Sequence, residues 1–120
     1  MATTLNDEGV LHGDGTLVTN YITGTRVIFG YGLNNSLVRV SITNLVNNYG
    51  GVATDTTGVG TSRSTLAAAG YGGDKAIFGY GASGSATAVT NLVSNIGVVS
   101  NDVTGIGTAR YGLAAASYSS

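Results

Sequence analysis

The sequence repeats itself, and the period limits what the chain can fold into. Residues 26–32 read RVIFGYG and residues 75–81 read KAIFGYG, so Phe29 and Phe78 stand 49 residues apart. The tetrapeptide TNLV at 43–46 returns at 90–93 with a spacing of 47, which places a two-residue loss in the intervening polar loop. A third block, GVGTSRSTLAAAGY at 58–71, matches GIGTARYGLAAASY at 105–118 and, more faintly, GVLHGDGTLVTNYI at 9–22. A period of just under fifty residues means that each copy is one supersecondary unit stacked on its neighbours. The expected division is an arm at 1–8, one unit at 9–57, a second at 58–104 and a partial third at 105–120, all in one domain cut out of phase with its own repeat.

Inside each unit, apolar residues alternate or run in short blocks bounded by glycine and polar clusters, the pattern of short strands and tight turns rather than helices. In the first unit the expected strands are 17–23, 26–30, 37–46 and 51–54. Val38, Val40 and Ile42 are expected on a buried face, with Arg39, Ser41 and Thr43 on a wet one. The continuous runs Val27-Ile28-Phe29 and Ala76-Ile77-Phe78 are expected as inner strands covered on both faces. Leu66 to Ala69 is helical by propensity, yet its small side chains and the flanking Gly70, Gly72 and Gly73 favour a strand pressed close to a neighbour.

Composition narrows the class further. The chain has 20 Gly, no Pro, no Cys, 9% charged and 42% hydrophobic residues, and its mean hydropathy is +0.24. That is too apolar for a disordered segment. Absent cysteine excludes disulfide scaffolds, zinc ribbons and thiol chemistry. A net charge of −1 supplies no footprint for nucleic acid or an anionic membrane. No apolar run approaches the roughly 18 residues of a membrane span, and Asp7 and Glu8 interrupt the region where a signal peptide would carry its apolar core.

Four short antiparallel strands per unit describe a β-propeller blade. Arg63, the small-residue strand 66–69 and the strand ending in IFGYG resemble the order of a kelch-type blade. A closer likeness is to glycine-rich arrays carrying IFGYG, TNLVSN and GTARYGLAAA in structural or tail-associated proteins of bacteriophages and bacteria. It covers about 9–118. The resemblance implies a non-enzymatic structural or attachment component of a virion, such as a tail, fibre or capsid decoration, located on the particle or outside the cell.

Candidate chemistry is sparse. His12 is the sole histidine and lies near Asp7, Glu8 and Asp14, without the ligand spacing of a metal site. Asp55 and Asp102 match, each before a Thr-Gly, where a carboxylate sets a turn. Calcium binding is the sharper alternative, but each loop offers one carboxylate. Arg63 and Arg110 also match, eight residues after the aspartates, so an ion pair within the blade is expected, with an axial arginine cluster gripping an anion as the alternative. Gly58 and Gly60, like Gly105 and Gly107, lack the Lys-Ser/Thr sequel of a phosphate loop. The sequon at Asn34 carries almost no weight. Tyr31, Tyr80, Tyr71, Tyr118 and Tyr111 suit either packing between blades or stacking on a sugar. Phe29 and Phe78 are the repeat-matched core aromatics. No Ser/His/Asp constellation assembles, and neither a cofactor nor a metal is expected.

Glycine raises the entropy cost of folding, and a lone unit of under fifty residues buries little, so stacked neighbours must stabilise it. A ring needs typically 4 to 8 blades. The expected partner is therefore the chain itself, with six blades from a trimer favoured over a four-bladed dimer and with residues 113–118 completing a blade in the next subunit. Other virion proteins or a surface glycan are further expected partners, and nucleic acid and membrane are not. A carbohydrate-binding propeller lectin is the alternative function, and an enzyme on a propeller scaffold is a third class disfavoured by the shortage of His and Glu.

Overall fold

A computed structural model of the protein describes residues 26–119, together with the backbone of the short antiparallel pair β1 (Val10–Leu11) and β2 (Leu17–Val18). All its described secondary structure is β, as the periodicity implies. The expected arm at 1–8, His12, Asp14 and the remainder of the strand expected over 17–23 lie outside the described residues.

The repeat is visible in the register of pairing. β3 (Val27–Gly30) pairs antiparallel with β4 (Thr43–Val46), setting Phe29 opposite Asn44 and Ile28 opposite Leu45. In the next unit β6 (Lys75–Gly79) pairs with β9 (Thr90–Val93), setting Phe78 opposite Asn91 and Ile77 opposite Leu92. Here β6 gains a second neighbour, β5 (Ala67–Tyr71), giving a three-stranded sheet in the order β5-β6-β9. A small hairpin, β7 (Ala82–Ser83) with β8 (Ser85–Ala86), lies between β6 and β9 in sequence. A fourth segment follows each pair as bridges rather than as a strand: Val52 and Thr56 against β4, Val99 and Val103 against β9. Each unit is thus an antiparallel meander with an irregular last member.

Local side chains fix the turns at matched positions. The Asn47 carboxamide oxygen accepts from the N–H groups of Tyr49 and Gly51, and the Ser94 hydroxyl accepts from those of Ile96 and Val98. Both devices replace backbone pairing with a short polar side chain. After β3 and β6 the chain turns through Tyr31 and Tyr80, which adopt φ of 65° and 63°, before Gly32 and Gly81 at 102° and 99°. A left-handed non-glycine residue costs roughly 1–2 kcal/mol, so the tyrosines must recover that through their contacts.

The core sits between the units. Tyr31 of the first unit meets Phe78 of the second with ring centroids 5.1 Å apart and planes inclined at 58°. Val93 completes this buried cluster, with Ile28, Leu66, Ala76 and Val99 around it. Gly30 permits the approach, because a Cβ there would lie 2.8 Å from the Phe78 ring.

Several expectations are corrected. The strand expected over 37–46 is ordered as β only from Thr43, and its faces are not those expected: Val38 is 55% exposed, whereas Thr43 is buried. Hydrogen bonds from Tyr31 N to Ile42 O and Val40 N to Gly32 O hold this stretch as an irregular excursion. The segment expected at 51–54 is reduced to bridges. Residues 66–69 do contribute a strand, but it begins at Ala67. β6 is an inner strand; β3 is not covered as expected, with Val27 and Phe29 more than half exposed. The described strands form sheets of two and three members, and the last strand expected in each unit is present as isolated bridges.

Candidate functional site

Most buried polar chemistry of the described residues gathers where one repeat unit joins the next. Arg63 is fully buried there, together with Asn91, Ser64 and Thr43. The Arg63 guanidinium lies 4.7 Å from the Tyr31 ring centroid, donates from Nε to Tyr80 O at 2.9 Å and from Nη1 to Thr61 O at 3.0 Å. Its backbone carbonyl accepts from Gly32 N. One residue therefore ties the GYG turn of the first unit to the GYG turn of the second. A buried cation needs such partners, since ion desolvation otherwise costs several kcal/mol.

Asp102 closes the joint from the other side. It accepts from the Thr61 N–H at 3.0 Å, the Thr61 hydroxyl and the Asn91 carboxamide at 2.9 Å. Arg63 Nη1 lies 3.9 Å away, an ion pair at the outer limit of such contacts. Burial pushes this carboxyl up, but the bonds from Thr61 and Asn91, with the charge of Arg63, outweigh burial and hold it below the ordinary value of 3.8. Asn91 also donates to Ser100 O, which keeps its amide aimed at the carboxylate. Tyr31 donates its hydroxyl to Val59 O, and burial raises its pKa. Two buried polar atoms, Arg63 Nη2 and Asn91 Oδ1, make no hydrogen bond.

The second joint repeats the first. The Arg110 guanidinium lies 4.4 Å from the Tyr80 ring centroid, Nη1 donates to Thr108 O, Gly81 N donates to Arg110 O, and Tyr80 donates its hydroxyl to Ile106 O. Each bond matches one around Arg63. Asp55 likewise accepts from the Asn44 carboxamide at 2.8 Å, as Asp102 does from Asn91.

These positions correct the roles expected of the matched residues. The ion pair does not form between Asp55 and Arg63, eight residues apart. Arg63 pairs with Asp102, across the meander, because the segment before β5 lies along the far side of the same unit. The aspartates do not set local turns, since Asp102 captures a residue 41 positions earlier. Arg63 is enclosed and so does not present an anion-gripping cluster; Arg110 is exposed. Of the tyrosines considered for ligand stacking, Tyr31 is buried under Arg63 and Tyr80 is partly buried under Arg110, whereas Tyr71, Tyr111 and Tyr118 are exposed. Phe78 is 4% exposed and its match Phe29 is 57% exposed. Sequence reasoning missed Asn91, Thr61 and Ser64. The return of TNLV, with its asparagine opposite the phenylalanine of IFGYG, was the available signal for Asn91.

A groove of about 1470 Å³ opens between the units at one end, lined in part by Val27, Leu45, Asn47, Tyr71, Asn95 and Tyr118. Among the described residues no group of three His, Asp or Glu side chains is placed to hold a metal, and no helix is long and apolar enough to cross a membrane. Comparison with known proteins finds no matching family model, no similar curated protein and no similar solved structure.

Proposed function

We propose that the protein is a non-enzymatic structural or attachment component of a bacteriophage virion, a tail, fibre or capsid decoration built as an oligomeric β-propeller with kelch-like blades. The observation that carries this reading is the joint between units. The chain invests its buried arginine, its buried asparagine and its aromatic cluster in holding one repeat to the next, as a repeat scaffold does. In the second unit a meander of three strands with a bridged fourth segment suits the four-stranded blade, and identical register in successive units suits their radial or linear repetition. Phe29, Val27 and Leu92 remain exposed, as expected of surface that further units cover. Mass measurement of the native protein tests the assembly. A trimer is expected, giving six blades; a stable folded monomer at low micromolar concentration would refute it. Gold-labelled antibody to the protein, applied to purified phage particles, tests the location, with labelling of the tail or capsid surface expected and labelling of host cell contents alone counting against it.

A sugar-binding propeller is the second reading, favoured by the groove in which Tyr71 and Tyr118 face solvent near Asn47 and Asn95. Flat apolar rings with neighbouring amides suit a carbohydrate. Glycan-array binding lost in Tyr71→Ala would support it.

A further inference from the structure

The two joints are unequally filled, and the difference has a direction. Around Arg63 both sides are occupied: Tyr31 on one, Tyr80 O and the Asn91–Asp102 pair on the other. Around Arg110, among the described residues, only the first side is occupied, by Tyr80. The matching second side exists elsewhere in the chain, as Tyr31 O and the Asn44–Asp55 pair at the outer end of the first unit.

Close approaches make the same point at independent positions. A Cβ on Gly81 would meet Ser64 O at 2.7 Å and Leu66 Cβ at 2.8 Å, whereas at the matching Gly32, with nearly the same φ, none of the described residues lies within 4 Å. A Cβ on Gly60 would strike Asn91 and Asp102 at 2.5 and 2.6 Å; at the matching Gly107 the nearest atom is the Tyr80 hydroxyl at 3.4 Å. Gly97 is packed by the Leu45 methyls, the nearest at 2.7 Å, while the matching Gly50 has none of the described residues within 4 Å and Leu92, the match of Leu45, is exposed. Gly32 and Gly50 belong to the first unit, and Gly107 and Leu92 to the far end. The two sets are complementary halves of one interface.

We propose that a second copy of this chain fills them: residues 108–118 of one copy dock on β3, Tyr31, Asn44 and Asp55 of the next, reproducing between chains the joint that residues 61–71 make within one. The proposal rests on the oligomeric reading above and supplies its contacts. Thr108 N–H and hydroxyl donate to Asp55, and Arg110 Nε donates to Tyr31 O, as Thr61 and Arg63 do to Asp102 and Tyr80. Residues 114–118 join the edge of β3 antiparallel in the register of β5 on β6, setting Ala114 opposite Gly30, Ala115 opposite Phe29 and Ala116 opposite Ile28. Phe29 then packs on Gly79 and Tyr80 of the neighbour as Phe78 packs on Gly30 and Tyr31. Donor and acceptor surfaces differ, so the contact is head to tail and closes into a ring or extends as a fibre.

The chain contains no cysteine, which makes a disulfide map of this register direct. Phe29→Cys and Ala115→Cys proteins are mixed at equal concentration and oxidised, with Val27→Cys and Ala115→Cys as the out-of-register control. Directly opposed positions lie within disulfide reach, whereas positions two residues off lie about 7–8 Å apart at closest. A heterodimer formed about tenfold faster from the in-register pair than from the control is expected. Asp55→Arg alone is expected to weaken self-association about tenfold or more while leaving the circular dichroism spectrum unchanged. Adding Arg110→Asp protein to it restores pairing, because the mixture retains one native donor and one native acceptor. If the native protein is oligomeric but crosslinks no faster in register than out, this interface is wrong and the oligomeric reading survives. A monomeric native protein overturns both. Pairing of β3 with residues 18–22 of its own chain, which match 67–71, would leave the thiol introduced at position 29 unreactive towards the one introduced at position 115 and likewise overturn the proposal.

Discussion

At the scale of single residues, matched positions perform unequal work. Arg63 is enclosed and bonded on every side except Nη2, whereas Arg110 is exposed. Arg63→Ala is therefore expected to destabilise the chain by about 3 kcal/mol, through stranded partners at Tyr80 O and Asp102 and the space left under Tyr31. Arg110→Ala is expected to cost less than about 0.5 kcal/mol in the monomer, as surface substitutions do. Urea denaturation followed by circular dichroism, in the Asp55→Arg background that weakens association, separates the two. Asp102 adds a pH signature. Its folded carboxyl is held below the ordinary value, so its contribution is complete above about pH 4 and is lost as pH falls through the depressed value. The urea midpoint should be flat from neutrality to about pH 5 and decline below about pH 4, and Asp102→Asn should shallow that decline. None of this was legible from spacing alone. Asp55 and Arg63 are near in sequence, but the partner of Arg63 is Asp102, which only chain reversal through β6 and β9 brings close.

At the scale of elements, the strands ending in IFGYG were the most legible parts of the chain, because continuous apolar runs closed by glycine leave few alternatives. The strand expected before TNLV was the least legible. Its alternation of Val38, Val40 and Ile42 has the right period for a buried face, yet the left-handed turn at Tyr31 diverts the chain so that this stretch pairs irregularly with Gly32. The small-residue strand β5 was recognisable through its glycines, and the structure shows why the segment leading into it is confined: it passes close to Gly81. That crowding yields a paired test. Gly81→Ala combines a strained φ with a Cβ 2.7 Å from backbone oxygen, and a loss of about 2–4 kcal/mol is expected. In the unassociated chain Gly32→Ala carries the φ strain alone, so about 1 kcal/mol is expected there. Equal losses in urea denaturation of the Asp55→Arg protein, in which association is weakened, would mean that the two turns are packed alike within one chain, contrary to the asymmetry of the joints.

At the scale of the whole molecule, four buried apolar residues serve the described chain, while Phe29, Val27, Val52 and Leu92 among others stay exposed. Such a distribution suits a repeat whose faces are shared between units rather than closed around a private core. Amide exchange should reflect it. Amides of β6, bonded on both sides within the three-stranded sheet, should exchange most slowly, and those of β3 should be less protected until concentration drives association. Protection of β3 that is independent of protein concentration would show that its outer edge is covered within one chain.

The sequence by itself determined the β class, the repeat and its period, and the strands around Phe29 and Phe78. These are local or self-similar properties, readable from periodicity and turn chemistry without knowing which segments meet. Only the tertiary structure decided that the buried arginine and the core belong to the joints, that Arg63 answers to Asp102, and that Phe78 is enclosed while Phe29 is bare. Identical motifs acquire different burial because each unit is completed by its neighbours, the second Phe being covered by the unit before it, and position in the array is a property of neighbours in space that no motif carries within itself.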